Sequence, residues 1–285
     1  MCKKILSAVL FFFLSVFFMT DYAIGKEPLL IFCGAAFKRP MEDIVKLYQQ
    51  KTDTKVDVNY GGVGTLFSQI LLSKRGDVFV VPSPDIMERA KTKGVVIPDS
   101  IKDIAFVAPC INVQKGNPKN IQTLKDLTKP GIKVGLANPE IVYIGAIAVE
   151  IMEKNLSTAE KKAIKENVVT YVEDFNKLAT LIVLKQVDAI IGFHFLEGWY
   201  PDKVGTIKLK TSEISRIGAG QTAVISYTGN RTEADKFILF LLSEDVKTIF
   251  RKYQYFGSTD EAFRWVGARK IIGGEFTAIE GWVKK

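Results

Sequence analysis

Four short stretches carry residue types that could hold an anion without any cationic side chain. They are Gly34-Ala35-Ala36, Gly61-Gly62-Val63-Gly64-Thr65, Tyr143-Ile144-Gly145 and Glu173-Asp174-Phe175. Each follows an apolar run and precedes a stretch with helical spacing. The start of a helix leaves backbone N–H groups unpaired and carries a partial positive charge. Small residues there let an anion come close to the main chain. If the runs are parallel strands, all four turns lie at their carboxyl ends, where ligands of open α/β sheets bind. One such turn is ordinary turn geometry, whereas four together make a candidate site. The Gly61–Thr65 stretch is neither a phosphate-binding P-loop nor a dinucleotide fingerprint, because no Gly-Lys-Ser/Thr follows and the glycine spacing differs. The candidate ligand residues are Ala35, Ala36, Gly62, Val63, Gly64, Thr65, Tyr143, Ile144 and Phe175. Phe193 and His194 join them at a strand end on the same side.

Other chemistries are poorly supplied. One His and three Cys leave too few soft ligands for a zinc site of the usual kind. No paired nucleophile and base is evident, so neither an enzyme nor a cofactor is expected. His194 in a cleft would donate to an oxyanion and make affinity depend on pH. Outside a cleft it would be a structural hydrogen-bonding residue. Asp174 reads as a helix N-cap rather than a ligand. The net charge is +8, from 39 Lys and Arg against 31 Asp and Glu. The basic residues are dispersed and lack interleaved aromatics, which argues against nucleic acid as a partner.

The first residues read as an address. Met1–Lys4 is short and basic, and Ile5–Met19 is uncharged and apolar. Ala23-Ile24-Gly25 places small residues for a cut before Lys26, so residues 1–25 read as a secretory signal peptide. The apolar run is shorter than the roughly 20 residues of a membrane span. Phe32 before Cys33 is too bulky for a lipoprotein cleavage site. A periplasmic or otherwise exported protein, soluble after cleavage and monomeric, is expected. Cys33 and Cys110 then face an oxidising compartment. Their pairing is left open by the sequence, since it depends on distance.

The elements that would position these loops alternate between strand and helix. Strands are expected at 29–32, 55–60, 77–81, about 104–113, 133–137, 168–172, 188–193 and 223–226. Helices are expected from Pro40, from Thr65 to about Ser73, over 85–93, over 145–154, after a Ser157–Glu160 capping box, and over 175–185. Two more are headed by Thr232 and Ser243. This is an α/β plan with mostly parallel sheets in two lobes. The grouping predicted is 26–108 with 222–285 for one lobe and 109–221 for the other. The chain then crosses between lobes twice, near 106–112 and 214–224. Residues 258–285 show no clear period and are expected only to pack on the outside.

The segments IFCGAAFKRPMEDIVKLYQQKTDTKVDVNYGGVGTLFSQI, GDVFVV, ANPEIVYIGAIAVEIM, YVEDF, VDAIIGF and IFRKYQYFG resemble, in order, the periplasmic molybdate-binding proteins of ABC importers. The resemblance implies a two-lobed type-2 periplasmic-binding-protein fold with a double-crossover hinge. It implies a tetrahedral oxyanion, molybdate or tungstate, in the inter-lobe cleft, with a membrane permease and an ATPase as partners. Three family hydroxyls are replaced here. The Ser of the first loop corresponds to Ala36, the Ser-rich second loop reads Gly62-Val63-Gly64, and the position of a Tyr is Phe193. Tyr60, Thr65, Tyr143 or His194 would have to supply replacements, with the backbone N–H groups at Ala36, Val63, Ile144 and Phe175 retained. Sulfate, phosphate or a chromate-like ion remains an alternative ligand. A sensor for a membrane kinase remains an alternative to import.

Overall fold

The computed structural model describes residues 27–274 and 281–283. The expected signal peptide lies outside the described residues. Strand β1 (Leu29–Gly34) is buried along nearly its whole length because it forms the middle of a sheet covered on both faces. Helix α1 (Lys38–Thr52) leads to strand β2 (Val56–Gly61), and helix α2 (Val63–Ser73) leads to strand β3 (Val78–Val81). Helix α3 (Pro84–Thr92) and strand β4 (Lys102–Val107) complete the first passage. β1 is parallel to both β2 and β3, and Gly34 stands opposite Gly61. The two strands therefore end side by side, and both following loops emerge at one edge of the lobe.

The second lobe starts with strand β5 (Pro109–Gln114). Strand β6 (Val134–Ala137), helix α4 (Tyr143–Asn155), helix α5 (Thr158–Asn167), strand β7 (Val168–Val172) and helix α6 (Phe175–Val183) follow. Strand β8 (Ala189–Phe193), the one-turn helix α7 (Leu196–Trp199) and strand β9 (Val204–Ile207) close it. Its sheet has the order β7-β6-β8-β5-β9. β6 is parallel to β7 and β8, while β5 runs antiparallel to β8 and β9. Ala137 faces Val172, so the loops entering α4 and α6 also leave together.

Strand β10 (Arg216–Val224) returns the chain to the first sheet and pairs antiparallel with β3 and β4. Helices α8 (Arg231–Leu241), α9 (Glu244–Lys252) and α10 (Thr259–Val266) and strand β11 (Ile271–Ile272) end the described fold. The fold is the expected two-lobed α/β arrangement.

Several local expectations shift. The single strand expected near 104–113 is two strands in different sheets, broken at Ala108, whose N–H is given to the His194 ring rather than to a strand. β10 begins at Arg216, so 216–221 run in the first sheet, not with the residues grouped around 109–221. α2 starts at Val63 rather than Thr65, and α8 follows Asn230 rather than Thr232. The Ser157–Glu160 capping box is present, and Asp174 accepts from the Lys177 N–H at 2.9 Å. Cys33 and Cys110 are both free, buried thiols, and burial pushes both upward. In the last segment Trp282 is buried, and its indole N–H donates to Glu153 at 2.7 Å.

Candidate functional site

The carboxyl ends of β1 and β2 face those of β6 and β7 across the lobes. After Gly34 the chain makes a tight turn over Ala35–Phe37, and the Tyr255 hydroxyl donates to the Ala36 carbonyl. The Phe37 ring stacks on Tyr255 at 5.4 Å, which fixes the loop from behind. Gly62 is the extended residue before α2, Val142 the one before α4 and Asp174 the one before α6. First-turn N–H groups have no acceptor within their own helix. Among the described residues, no other main-chain acceptor is found for those of Val63, Ile144 and Phe175.

These elements enclose one narrow gap with a cavity volume of about 10 Å³. Of the residues singled out in the sequence, Ala35, Ala36, Gly62, Val63, Tyr143, Ile144, Phe175 and Phe193 line it. Gly61, Pro82 and Val142 also line it without being among the candidate ligand residues. Pro82 follows the carboxyl end of β3, so the rule that selected the other loops could have found it. Gly64 does not border the gap. It lines an adjoining outer chamber of about 210 Å³ with Ser83, Asp85, Arg89 and Glu140. Thr65 is exposed on α2 and lines neither space, and Tyr60 is likewise absent from both linings.

His194 is not at the gap. Its Nδ1 accepts from the Ala108 N–H at 3.2 Å, and its Nε2 then donates to the Gln254 carbonyl at 2.8 Å. The ring lies flat on Phe256 with centroids 3.8 Å apart. Burial pushes its pKa down to about 3, so it stays neutral. Both ring nitrogens are engaged at the crossing between β4 and β5, and nothing is left to donate to a cleft ligand.

Among the described residues, no Asp, Glu, Lys or Arg lines the gap. The negative end of a bound ion would therefore meet helix N-termini and apolar walls. Among the described residues, Tyr143 supplies the lining's only side-chain hydroxyl, and the residue is 6% exposed. That hydroxyl has no hydrogen-bond partner among the described residues. Burial pushes the phenol upward, and the nearby Asp85 carboxylate adds to the shift, so it remains a donor. Such a site can bind and desolvate an anion.

Two α/β lobes closing on an uncharged gap at strand carboxyl ends define a two-lobed solute-binding protein with the type-2 periplasmic-binding fold. The chain belongs to the bacterial extracellular solute-binding protein family, whose profile matches residues 29–255. It is 24% identical over 226 residues to the molybdate-binding protein ModA of Rhodobacter capsulatus, covering 78% of this chain and 85% of that one. The sulfate-binding protein SubI of Mycobacterium tuberculosis superposes with a TM-score of 0.71 at 15% identity, covering 86% of this chain and 93% of that one. PEB3 of Campylobacter jejuni, in its complex with L-phospholactate, superposes with a TM-score of 0.66 at 21% identity, covering 81% of this chain and all of the other (100%).

Proposed function

We propose that the protein captures a tetrahedral oxyanion, molybdate or tungstate first, for import by an ABC permease and its ATPase. The observation that carries this is the convergence of three helix N-termini and the Ala35–Phe37 turn on one gap without a charged side chain. Dipoles and N–H groups neutralise a dianion there as the lobes exclude water. The lining offers no carboxylate acceptor, so an ion that keeps a proton would bury its O–H unpaired. That works against hydrogen phosphate and hydrogen arsenate, and leaves size to separate sulfate from its larger analogues. The exported setting expected from residues 1–25 fits this role.

A second reading is supported by the outer chamber beside Tyr143. It gives room for an organic substituent on the oxyanion, as in a phosphate monoester. Such an ester is a dianion with no proton to bury, so it suits the same donors. Calorimetric titration with molybdate, tungstate, sulfate, phosphate, chromate and phospholactate separates the readings. Submicromolar binding of molybdate and tungstate alone is expected. Tight phospholactate binding with no response to molybdate would replace the first reading by the second. Tight binding of hydrogen phosphate would overturn the argument from unpaired protons.

A further inference from the structure

The two lobes touch through their main chains at the rim of the gap. The Gly64 N–H, on the first lobe, donates to the Ile141 carbonyl on the second at 3.1 Å. Beside it, a Cβ built on Gly62 would lie 2.4 Å from the Glu173 carbonyl oxygen and 3.2 Å from that of Ile141. A Cβ on Gly64 would lie 3.1 Å from the Ile141 Cα. Neither glycine is required by its backbone. Gly62 has φ −64° and ψ 137°, which any residue adopts, and Gly64 sits in the first turn of α2, where Ala is the better helix former. What both positions need is the room that a missing side chain leaves for the opposite lobe.

We propose that Gly62 and Gly64 form the stop that ends lobe closure, and so set the size of ion the gap accepts. The proposal rests on the oxyanion reading for the identity of the ligand, but not for the contact itself. Backbone atoms cannot rotate out of the way as a side chain can. The stop therefore holds the Val63 helix start at a fixed distance from those of Ile144 and Phe175. An ion too large keeps the lobes apart, and one too small leaves donors unfilled. A Cβ at Gly62 must move from 2.4 Å to an ordinary contact of at least 3.4 Å, so the stop would shift by about 1 Å. At Gly64 the required shift is a few tenths of an ångström.

The test uses Gly62→Ala and Gly64→Ala in the full mature chain. Both should fold with unchanged thermal midpoints, because the added methyl meets the other lobe only on closure. Calorimetry should show Gly62→Ala losing at least about tenfold in affinity for the preferred ion, with the smallest loss for the largest ion tested among sulfate, molybdate and tungstate. Gly64→Ala should lose less than about threefold. Hydrogen exchange gives a readout that needs no ion: the Gly64 amide should be protected in the wild type and exchange freely in Gly62→Ala. Equal exchange at Gly64 in both proteins overturns the stop, whichever ions bind. So does a Gly62→Ala protein that fails to fold, because the contact would then belong to folding rather than closure. A wild type that binds none of the ions, with the exchange difference intact, sinks the oxyanion reading and leaves the stop standing.

Discussion

At the scale of single residues, Tyr143 and His194 exchange the roles that sequence allows them. Tyr143 lines the gap and keeps a buried hydroxyl without a hydrogen-bond partner among the described residues, whereas His194 spends both ring nitrogens on the crossing. Tyr143→Phe should therefore weaken oxyanion binding by about 1.5–3 kcal/mol, roughly 10- to 150-fold, the range for a hydrogen bond to a charged group. Folding stability should hold or rise, since an unpaired buried hydroxyl is removed. Calorimetry and thermal melting on the same samples check both outcomes. His194 gives a pH signature in stability instead. Burial lowers its folded pKa from 6.5 to about 3, so between those values the unfolded chain binds a proton that the folded chain refuses. The stability it contributes is full above about pH 6.5 and is lost as pH falls towards 3, at up to about 1.4 kcal/mol per pH unit. Urea unfolding at pH 7, 5.5 and 4.5 should show a steeper decline for the wild type than for His194→Gln. A matching decline would mean the imidazole is not held neutral. The site's loop residues were legible because Gly and Ala at strand ends announce close approach. The fate of His194 was not, because its partners Ala108 and Gln254 are 86 and 60 residues away in sequence.

The elements divide in the same way. Strands buried on both faces, such as β1, β3 and β8, are short apolar runs and are readable one by one. So are helices with local caps, because a cap is written within four residues. α10 has such a signature although 258–285 show no clear period: Ser258 accepts from the Glu261 N–H at 3.3 Å, and Gly267 ends the helix at φ 88°. β9 and the first half of β10 were beyond reach, since their place is set by partners far along the chain. The N-cap of α6 offers a test of the dipole argument. Asp174 secures the helix with its side chain, but places a carboxylate beside the N–H group of Phe175. Asn caps as well as Asp. Asp174→Asn should thus leave stability nearly unchanged and strengthen anion binding by about 0.3–1 kcal/mol, roughly two- to fivefold. Asp174→Ala should instead cost about 1 kcal/mol of stability. Weaker binding by the Asn variant would argue that the anion does not sit at this helix start.

Across the whole molecule, the lobes are joined by more than the two crossings. Phe195 of the second lobe stacks on Tyr255 of the first at 4.2 Å, behind the gap. On the flank, Arg39 at the start of α1 donates to the Trp199 carbonyl at 3.2 Å and lies 4.2 Å from the centre of the Tyr200 ring. α1 and α7 belong to different lobes, so the Arg39 contacts bridge the lobes in this arrangement. A contact made only in the closed state adds to the apparent affinity of any ligand that favours closure. Its size follows from its parts: a cation–π contact at a partly exposed site contributes about 0.5–1 kcal/mol, and a charged donor to a carbonyl adds a comparable amount after solvent competition. Arg39→Ala should accordingly reduce anion affinity by about 1–2 kcal/mol, roughly 5- to 30-fold. The loss should fall on dissociation, because Arg39 is not part of the gap's lining and its contacts form after the ion has entered. Stopped-flow measurement of Trp fluorescence would read this directly, since Trp199 lies under the clasp and packs edge-on against Phe175 of the gap at 5.7 Å. A faster off-rate with an unchanged on-rate is the expected pattern. A reduced on-rate with an unchanged off-rate would instead make Arg39 a surface charge that attracts the ion, and would remove it from the closing contacts.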